Sequence, residues 1–156
     1  LHLSLRRQRQ MCIRDRQIAV LTHSAEVFRE RVIQPVRQQG YATQQEKLLA
    51  LLQAWLAWNQ SFAGRCMFLD AWTSAQEGEV QQAARELVRF WLDYLARQVV
   101  QGQARGEWRS DLDPWRAVYR LYGLYLGDQV FHALALSEDP ARHFWPEVEQ
   151  LLTSWR

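Results

Sequence analysis

Residues 103–114, QARGEWRSDLDP, and the apolar segment after them carry the most informative structural signals of the chain. Gly106 is predicted to end one helix, and residues 107–112 are predicted to form a short exposed connection. Asp113 is a good N-cap for the next helix, because its carboxylate can accept hydrogen bonds from unpaired first-turn N–H groups. Pro114 then occupies the first helical position, where a missing N–H loses no hydrogen bond.

The helix predicted after this stretch is apolar on nearly every side. One stripe contains Trp115, Val118, Tyr119, Tyr122, Leu126, Val130 and Leu134, and much of the opposite side contains Ala117, Leu121, Leu124, Phe131 and Ala135. A helix of this kind must be covered on two sides. In a chain of 156 residues, one cover can be the chain's own core and the other a second subunit. Gly123 and Gly127 would let a neighbouring backbone approach closely.

Composition favours a packed helical domain. The chain has eight Trp, six Phe and five Tyr, but only seven Gly and four Pro. Sustained apolar–polar alternation and Asn-Gly or Asp-Gly turns, which indicate strands and hairpins, do not occur. The length corresponds to one domain with a sizeable core. We therefore expect an all-α fold, a bundle of about six helices.

Helical periodicity places these six helices along the chain. They are expected at about 17–38, from 43 to about 62, through 67–75, at about 79–101, after Pro114, and after Asp139. Pro35 is expected to kink or fray the end of the first helix. Thr43 and Glu46 have the spacing of a capping box. Pro146 either kinks the last helix or marks its true beginning.

Residues 1–16 differ from the rest of the chain. They contain five of the 19 basic residues and one of the 17 acidic residues, so residues 17–156 hold 14 basic and 16 acidic residues and are slightly acidic. A basic arm that touches DNA or a membrane is one interpretation. We favour a non-native or disordered tail, because residues 4–16 resemble translated sequencing-adaptor read-through. Natural sequence would then begin near Gln17, and residues 17–156 would form the functional domain.

Signals for catalysis, metal binding and membrane insertion are weak. Two pairs of potential metal ligands are four residues apart: Asp128 with His132, and His143 with Glu147. Neither pair has a third potential ligand at a spacing typical of metal sites. Cys66 is best explained as a small buried residue. We expect no metal, no cofactor and no enzymatic activity. Charged side chains interrupt the longest apolar stretch, so no membrane span is expected, and two Cys without a disulfide framework indicate a cytoplasmic protein.

Two motifs resemble the C-terminal regulatory domain of TetR-type transcriptional repressors. The first is RGEWRSDLDP, residues 105–114, followed by YGLYLG at 122–127; the second is GRCMF, residues 64–68, which is similar to the family's Gly-Cys-x-Phe turn. The resemblance covers roughly residues 18–156. It implies a domain that senses a small molecule and dimerises, and that breaks no bond.

The resemblance also implies an inducer pocket walled by aromatic side chains. An unknown, partly apolar small molecule would bind there. Each aromatic residue taken alone could equally be ordinary core. The candidate ligand-binding residues are Trp55, Trp58, Phe62, Phe68, Trp72, Trp91, Tyr94, Tyr119, Tyr122 and His132.

A homodimer is expected through the last two helices, because TetR-type dimers resemble a four-helix bundle made from two helices of each subunit. The alternative is that both helices merely close the core of one chain. The candidate interface residues are Trp115, Tyr119, Tyr122, Gly123, Leu126, Gly127, Val130, Phe144, Val148, Leu151 and Trp155.

In this interpretation the chain is the sensing part of a repressor. Residues 1–16 cannot form the helix-turn-helix that a repressor needs, so operator DNA would be bound only through a missing N-terminal domain. The chain as given is expected not to bind operator DNA specifically. Two alternatives remain: a stand-alone helical protein-interaction module, and a small helical enzyme or cofactor bundle that uses His132 or His143.

Overall fold

The structure, a computed structural model, describes residues 2–61, 70–71, 73, 78–136 and 139–156. All regular elements in these residues are helical, and none of them is a strand. The elements are α1 (His2–Phe28), a π-helical turn (Arg29–Ile33), α2 (Gln34–Gln38), α3 (Gln44–Gln60), α4 (Glu79–Ala104), α5 (Pro114–Ala133) and α6 (Pro140–Thr153). The predicted all-α fold is confirmed. The helix predicted at 67–75 falls mostly outside the described residues.

The first helix begins much earlier than predicted. Residues 2–16 are helical and continue into the predicted helix without a break at Arg16. The expected tail boundary therefore does not coincide with a helix end. That residues 1–16 are non-native stays a prediction.

Pro35 disturbs the first helix as expected, but through a change of helix type. The N–H of Gln34 donates to the carbonyl oxygen of Arg29, five residues back, and α2 then begins with Pro35 in its first turn. Proline has no N–H to continue the α-helical pattern, so the turn before it widens into a π-helix.

The predicted helix starts and stops are confirmed by their hydrogen bonds. In the capping box of α3, the Glu46 N–H donates to Thr43 Oγ1 at 3.1 Å, and the Thr43 N–H donates to Glu46 Oε2 at 3.3 Å. The Arg116 N–H donates to Asp113 Oδ1 at 2.9 Å, which caps α5. Pro146 lies inside α6 rather than at its beginning.

The described residues form two compact units. The first comprises Leu1–Gln39 and Gln53–Trp91, and the second comprises Gly40–Leu52 and Leu92–Arg156. Apolar side chains of α1, the π-helical turn, α2, α3 and α4 are buried in the first unit: Leu21, Phe28, Val32, Ile33, Val36, Trp55 and Trp91. The core of the second unit includes side chains of α3, α4, α5 and α6 and of the residues after them, among them Leu48, Leu95, Val118, Leu121, Tyr125, Val148, Leu152 and Trp155.

Candidate ligand and dimerisation sites

The RGE sequence at 105–107 forms a hydrogen-bonded junction in the second unit. Gly106 has a φ of 70°, and its N–H donates to the carbonyl oxygen of Gln103 at 2.9 Å. The Glu107 N–H donates to the carbonyl oxygen of Gly102 at 3.0 Å. These two bonds make a Schellman motif, in which glycine readily adopts the left-handed conformation, so Gly106 ends α4 as predicted.

The Glu107 carboxylate caps a helix that is distant in sequence. Its Oε2 accepts hydrogen bonds from the backbone N–H groups of Gln44 at 2.6 Å and Gln45 at 3.3 Å, at the beginning of α3. Its Oε1 lies 2.9 Å from Arg105 Nε, and Arg105 Nη2 donates to the carbonyl oxygen of Ala42 at 2.7 Å. An anionic acceptor at a helix N-terminus satisfies unpaired N–H groups and interacts favourably with the helix dipole. The motif therefore joins the end of α4 to the beginning of α3.

The connection at 107–112 is not exposed throughout, which corrects the prediction. Trp108 is only 3% exposed, and its ring packs edge-to-face on Trp155 with centroids 5.2 Å apart. Leu112 is also buried. The side-chain amide of Gln103 donates to the carbonyl oxygens of Arg109, Ser110 and Leu112 at 2.8–3.3 Å. Helical periodicity does not reveal the contact between Trp108 and Trp155, which are 47 positions apart, and this contact buries the Trp108 ring.

Four aromatic side chains meet in the first unit. Phe28 of α1 contacts Trp91 at 5.1 Å and Trp58 at 5.9 Å between ring centroids, and Trp55 contacts Trp91 at 5.5 Å, all in edge-on geometry. Three of the ten candidate ligand residues therefore come together. Phe28 completes this aromatic cluster and was missed as a candidate, although it lies on the predicted apolar stripe of the first helix.

Four other candidate ligand residues lie in the part of the chain that the structure describes, and each has a different environment. Tyr94 lies beside the Arg97 guanidinium in the second unit, and Tyr122 stacks on Tyr125 with centroids 5.6 Å apart. Tyr119 is 79% exposed, and His132 is exposed near the end of α5. Phe62, Phe68 and Trp72 lie outside the residues that the structure describes.

Helix α5 has two apolar faces, as predicted. Its buried face contains Ala117, Val118, Leu121 and Tyr125. Its exposed face contains the candidate interface residues Trp115, Tyr119, Gly123, Gly127 and Val130, while Tyr122 and Leu126 are half-buried at its edge. The chain itself covers only one of the two faces.

The candidate interface residues in α6 and just after its end have a different environment. Phe144, Val148, Leu151 and Trp155 are all buried within the single chain. They already belong to its core, as the alternative for these helices proposed. The amphipathic pattern of α6 indicates a buried face but not what covers it.

A groove of about 610 Å³ lies between α5 and α6. Its apolar lining consists of Gly123, Leu124, Gly127, Phe131, Phe144 and Leu151, and its polar lining of Arg120, Asp128, His143, Glu147, Gln150 and Ser154. Partial burial raises the pKa of the Asp128 carboxyl above its ordinary value of 3.8, and the nearby His132 acts in the opposite direction. From the sequence, Asp128, His143 and Glu147 were considered as metal ligands, and His143 also as part of an enzyme or cofactor bundle. Their common position along a groove was not predicted.

Neither a metal site nor a membrane span is found in the described part of the chain. There is no group of three or more His, Cys, Asp or Glu side chains that could hold a metal ion among these residues. None of the described helices has the length and apolar character to cross a membrane.

The resemblance to the TetR-type C-terminal domain predicts an all-helical structure, and every regular element of the described residues is helical. Residues 45–148, more than half of the chain, match the family described as tetracyclin repressor-like, C-terminal domain. The chain therefore belongs to the family of TetR-type C-terminal domains. Comparison with curated proteins and with solved structures gave no match.

Proposed function

We propose that this chain is the small-molecule-sensing and homodimerising domain of a TetR-type transcriptional repressor. The observation that carries the proposal is the family match, which includes α3, α4, the RGE junction, α5 and most of α6. In this function no bond is broken. A ligand changes DNA binding only by preferring one conformational state of the regulator over another.

The exposed face of α5 supports the homodimer. Trp115, Tyr119 and Val130 are large apolar side chains that remain about half or more exposed in the single chain. Contiguous apolar surface of this kind marks interaction sites. A second copy would cover it and complete a four-helix bundle from α5 and α6 of each subunit.

The aromatic cluster of the first unit supports the sensing role. Trp55, Trp58 and Trp91 come from α3 and α4, and Phe28 comes from α1. A partly apolar ligand that inserts among these rings would displace Phe28 and hence move α1. In the proposed regulator, this movement of the first helix changes the spacing of two DNA-reading domains.

Two measurements test this function. Sedimentation equilibrium of the chain should show a concentration-dependent monomer–dimer equilibrium. The aromatic probe 1-anilinonaphthalene-8-sulfonate should bind saturably, and Trp58→Ala should weaken that binding because Trp58 is a half-buried wall of the cluster. Trp145→Ala is the matched control for the probe, since Trp145 is also a half-buried tryptophan but lies on α6. A chain that stays monomeric and binds the probe without saturation would contradict the proposal.

A further inference from the structure

We propose that the groove between α5 and α6 binds an elongated zwitterion, a small molecule with an ammonium group at one end, a carboxylate at the other and an apolar chain between them. The ammonium would lie at Asp128 and Glu147, and the carboxylate at Arg120. This site is distinct from the aromatic cluster of the first unit, so the inference goes beyond the proposed function and does not depend on it. The charges, the lining and the position of the groove support it.

Opposite charges lie at the two ends of the groove. Arg120 and Asp128 both line it from α5, eight residues apart, which is about 12 Å along the helix axis. Because α5 is joined to α6 by a short connection and packs on it, the two helices run antiparallel. His143, near the beginning of α6, and Glu147, one turn later, therefore lie at the Asp128 end, whereas Ser154 lies at the Arg120 end. One end of the groove is thus acidic and the other basic.

The charged groups of the groove are not paired within the part of the chain that the structure describes. Arg120, Asp128 and Glu147 take part in none of the ion pairs found there. Partial burial raises the pKa of the Asp128 carboxyl, because its charged form has lost water. A ligand ammonium at this end would compensate that loss. Among the described residues no group of three or more His, Cys, Asp or Glu could hold a metal ion, so an extended organic ammonium fits this end better than a metal ion.

The rest of the groove is mainly apolar and open. Its apolar lining consists of Gly123, Leu124, Gly127, Phe131, Phe144 and Leu151. A Cβ atom built on either glycine would have no other atom within 4 Å, so the chain's own side chains leave the space over both glycines open. The volume of about 610 Å³ is within the range of small-molecule sites, roughly 300–1,000 Å³. Such a lining favours a polymethylene chain, which is removed from water there.

The acidic end of the groove does not lie on the face proposed for the homodimer. Residues of an α-helix are about 100° apart around its axis, so the nine positions from Tyr119 to Asp128 place these two side chains on opposite sides of α5. A second copy that covers Tyr119 and Val130 therefore leaves Asp128 on the far side of the helix. The zwitterion site and the dimer contact are separate predictions.

Three probes with chains of equal length separate the two charges. 8-Aminooctanoate carries both charges, octylammonium only the positive one and octanoate only the negative one. The extended chain of 8-aminooctanoate holds its charged groups about 10 Å apart, and a hydrogen bond of about 3 Å at each end lets it span the groove. In isothermal titration calorimetry, 8-aminooctanoate should bind at least about threefold more tightly than either singly charged probe, because it meets an opposite charge at both ends.

Substitutions at each end assign the two contacts. Arg120→Gln should weaken the binding of 8-aminooctanoate at least about threefold and leave octylammonium unchanged, because only the carboxylate contact is lost. Asp128→Asn should weaken both probes that carry an ammonium group and should not weaken octanoate. Circular dichroism verifies that each variant folds. Glu147→Gln, at an exposed position of the same end, repeats the test if Asp128→Asn does not fold.

Matched controls come from the side of α6 that does not line the groove. Arg142→Gln and Glu149→Gln remove the same charges at exposed positions and should leave the affinity of all three probes unchanged. The inference is overturned if 8-aminooctanoate binds no more tightly than octylammonium and octanoate. It is also overturned if the groove variants change its affinity no more than the controls do. Neither result involves the aromatic cluster or dimerisation, so the proposed function would stand.

Discussion

Glu107 Oε2 accepts a hydrogen bond of 2.6 Å from the backbone N–H of Gln44, although the two residues are 63 positions apart. Gln44 is itself buried, and its side-chain amide donates to Gln98 Oε1 at 2.9 Å. The turn after α4 thus provides the hydrogen-bond acceptor for the unpaired backbone N–H groups at the beginning of α3. The stability of the second unit should depend on this single carboxylate.

Glu107→Ala should lower the free energy of unfolding by about 1–3 kcal/mol, because it leaves two N–H groups of α3 without their acceptor. Urea denaturation measures the change. Asp111→Ala is the control: its partner Arg109 is 3.5 Å away and both side chains are more than half exposed, so the loss should be below about 1 kcal/mol. Equal losses for both variants would refute the capping role.

Gly102→Ala should destabilise the chain although alanine favours helices. A Cβ at position 102 would overlap the ring of Trp108, which is itself held against Trp155. Overpacking of this kind typically costs about 1–3 kcal/mol. Thermal unfolding should therefore show a lower midpoint. Gly40→Ala, where nothing lies within 4 Å of the added carbon, should leave the midpoint nearly unchanged; an equal decrease would show that Trp108 is not responsible.

Gly123→Leu should produce a folded monomer. The site is open within the chain, so the fold tolerates the side chain, but the bulk prevents a second α5 from approaching. Sedimentation equilibrium should show the dimer weakened at least about tenfold, since overpacking of about 1–3 kcal/mol arises twice by symmetry. Gly40→Leu is the control outside α5. A leucine at position 123 that leaves the dimer intact would place the interface elsewhere.

Acidification should remove the free-energy cost of partly burying the charged carboxylate of Asp128. Burial raises the pKa of its carboxyl above 3.8, so the folded state binds the proton more tightly than the unfolded state does. The resulting stability is fully present below the unfolded pKa and is lost as the pH rises through the folded pKa. Three other ionisable side chains, His132, His143 and Glu147, lie near Asp128, so the contribution of Asp128 is measured by comparison with a variant of that residue.

The contribution of Asp128 to the pH dependence of stability is measured with Asp128→Asn. Both proteins in the comparison also carry Gly123→Leu, so that both are monomers. Urea denaturation between pH 4 and 7 should show the Asn variant gaining stability relative to its parent as the pH rises, because it has no charge to desolvate. Glu149→Gln, an exposed carboxylate of α6, should show no such trend. A constant difference between the Asn variant and its parent at every pH would contradict the burial of this carboxyl.

Local sequence signals predicted much of the fold. The capping box of Thr43 and Glu46, the Asp113 cap and the Gly106 stop each depend on residues within one or two turns, so the pattern alone was sufficient. The two apolar faces of α5 were predicted for the same reason, because side chains 3.6 residues apart share a face. The family motif at 105–114 was read correctly as a marker of the fold.

Residues 105–114 by themselves determined where α4 ends and where α5 begins, because caps and turns are formed by neighbours in sequence. Only the tertiary structure shows that Trp108 is buried against Trp155 and that Phe28 completes the aromatic cluster. It also shows that the apolar side chains of α6 are buried within their own chain. Periodicity indicates that a face must be covered but carries no information about which distant segment covers it. The residues that cover an apolar face depend on how the whole chain packs, because only folding brings side chains that are far apart in sequence into contact.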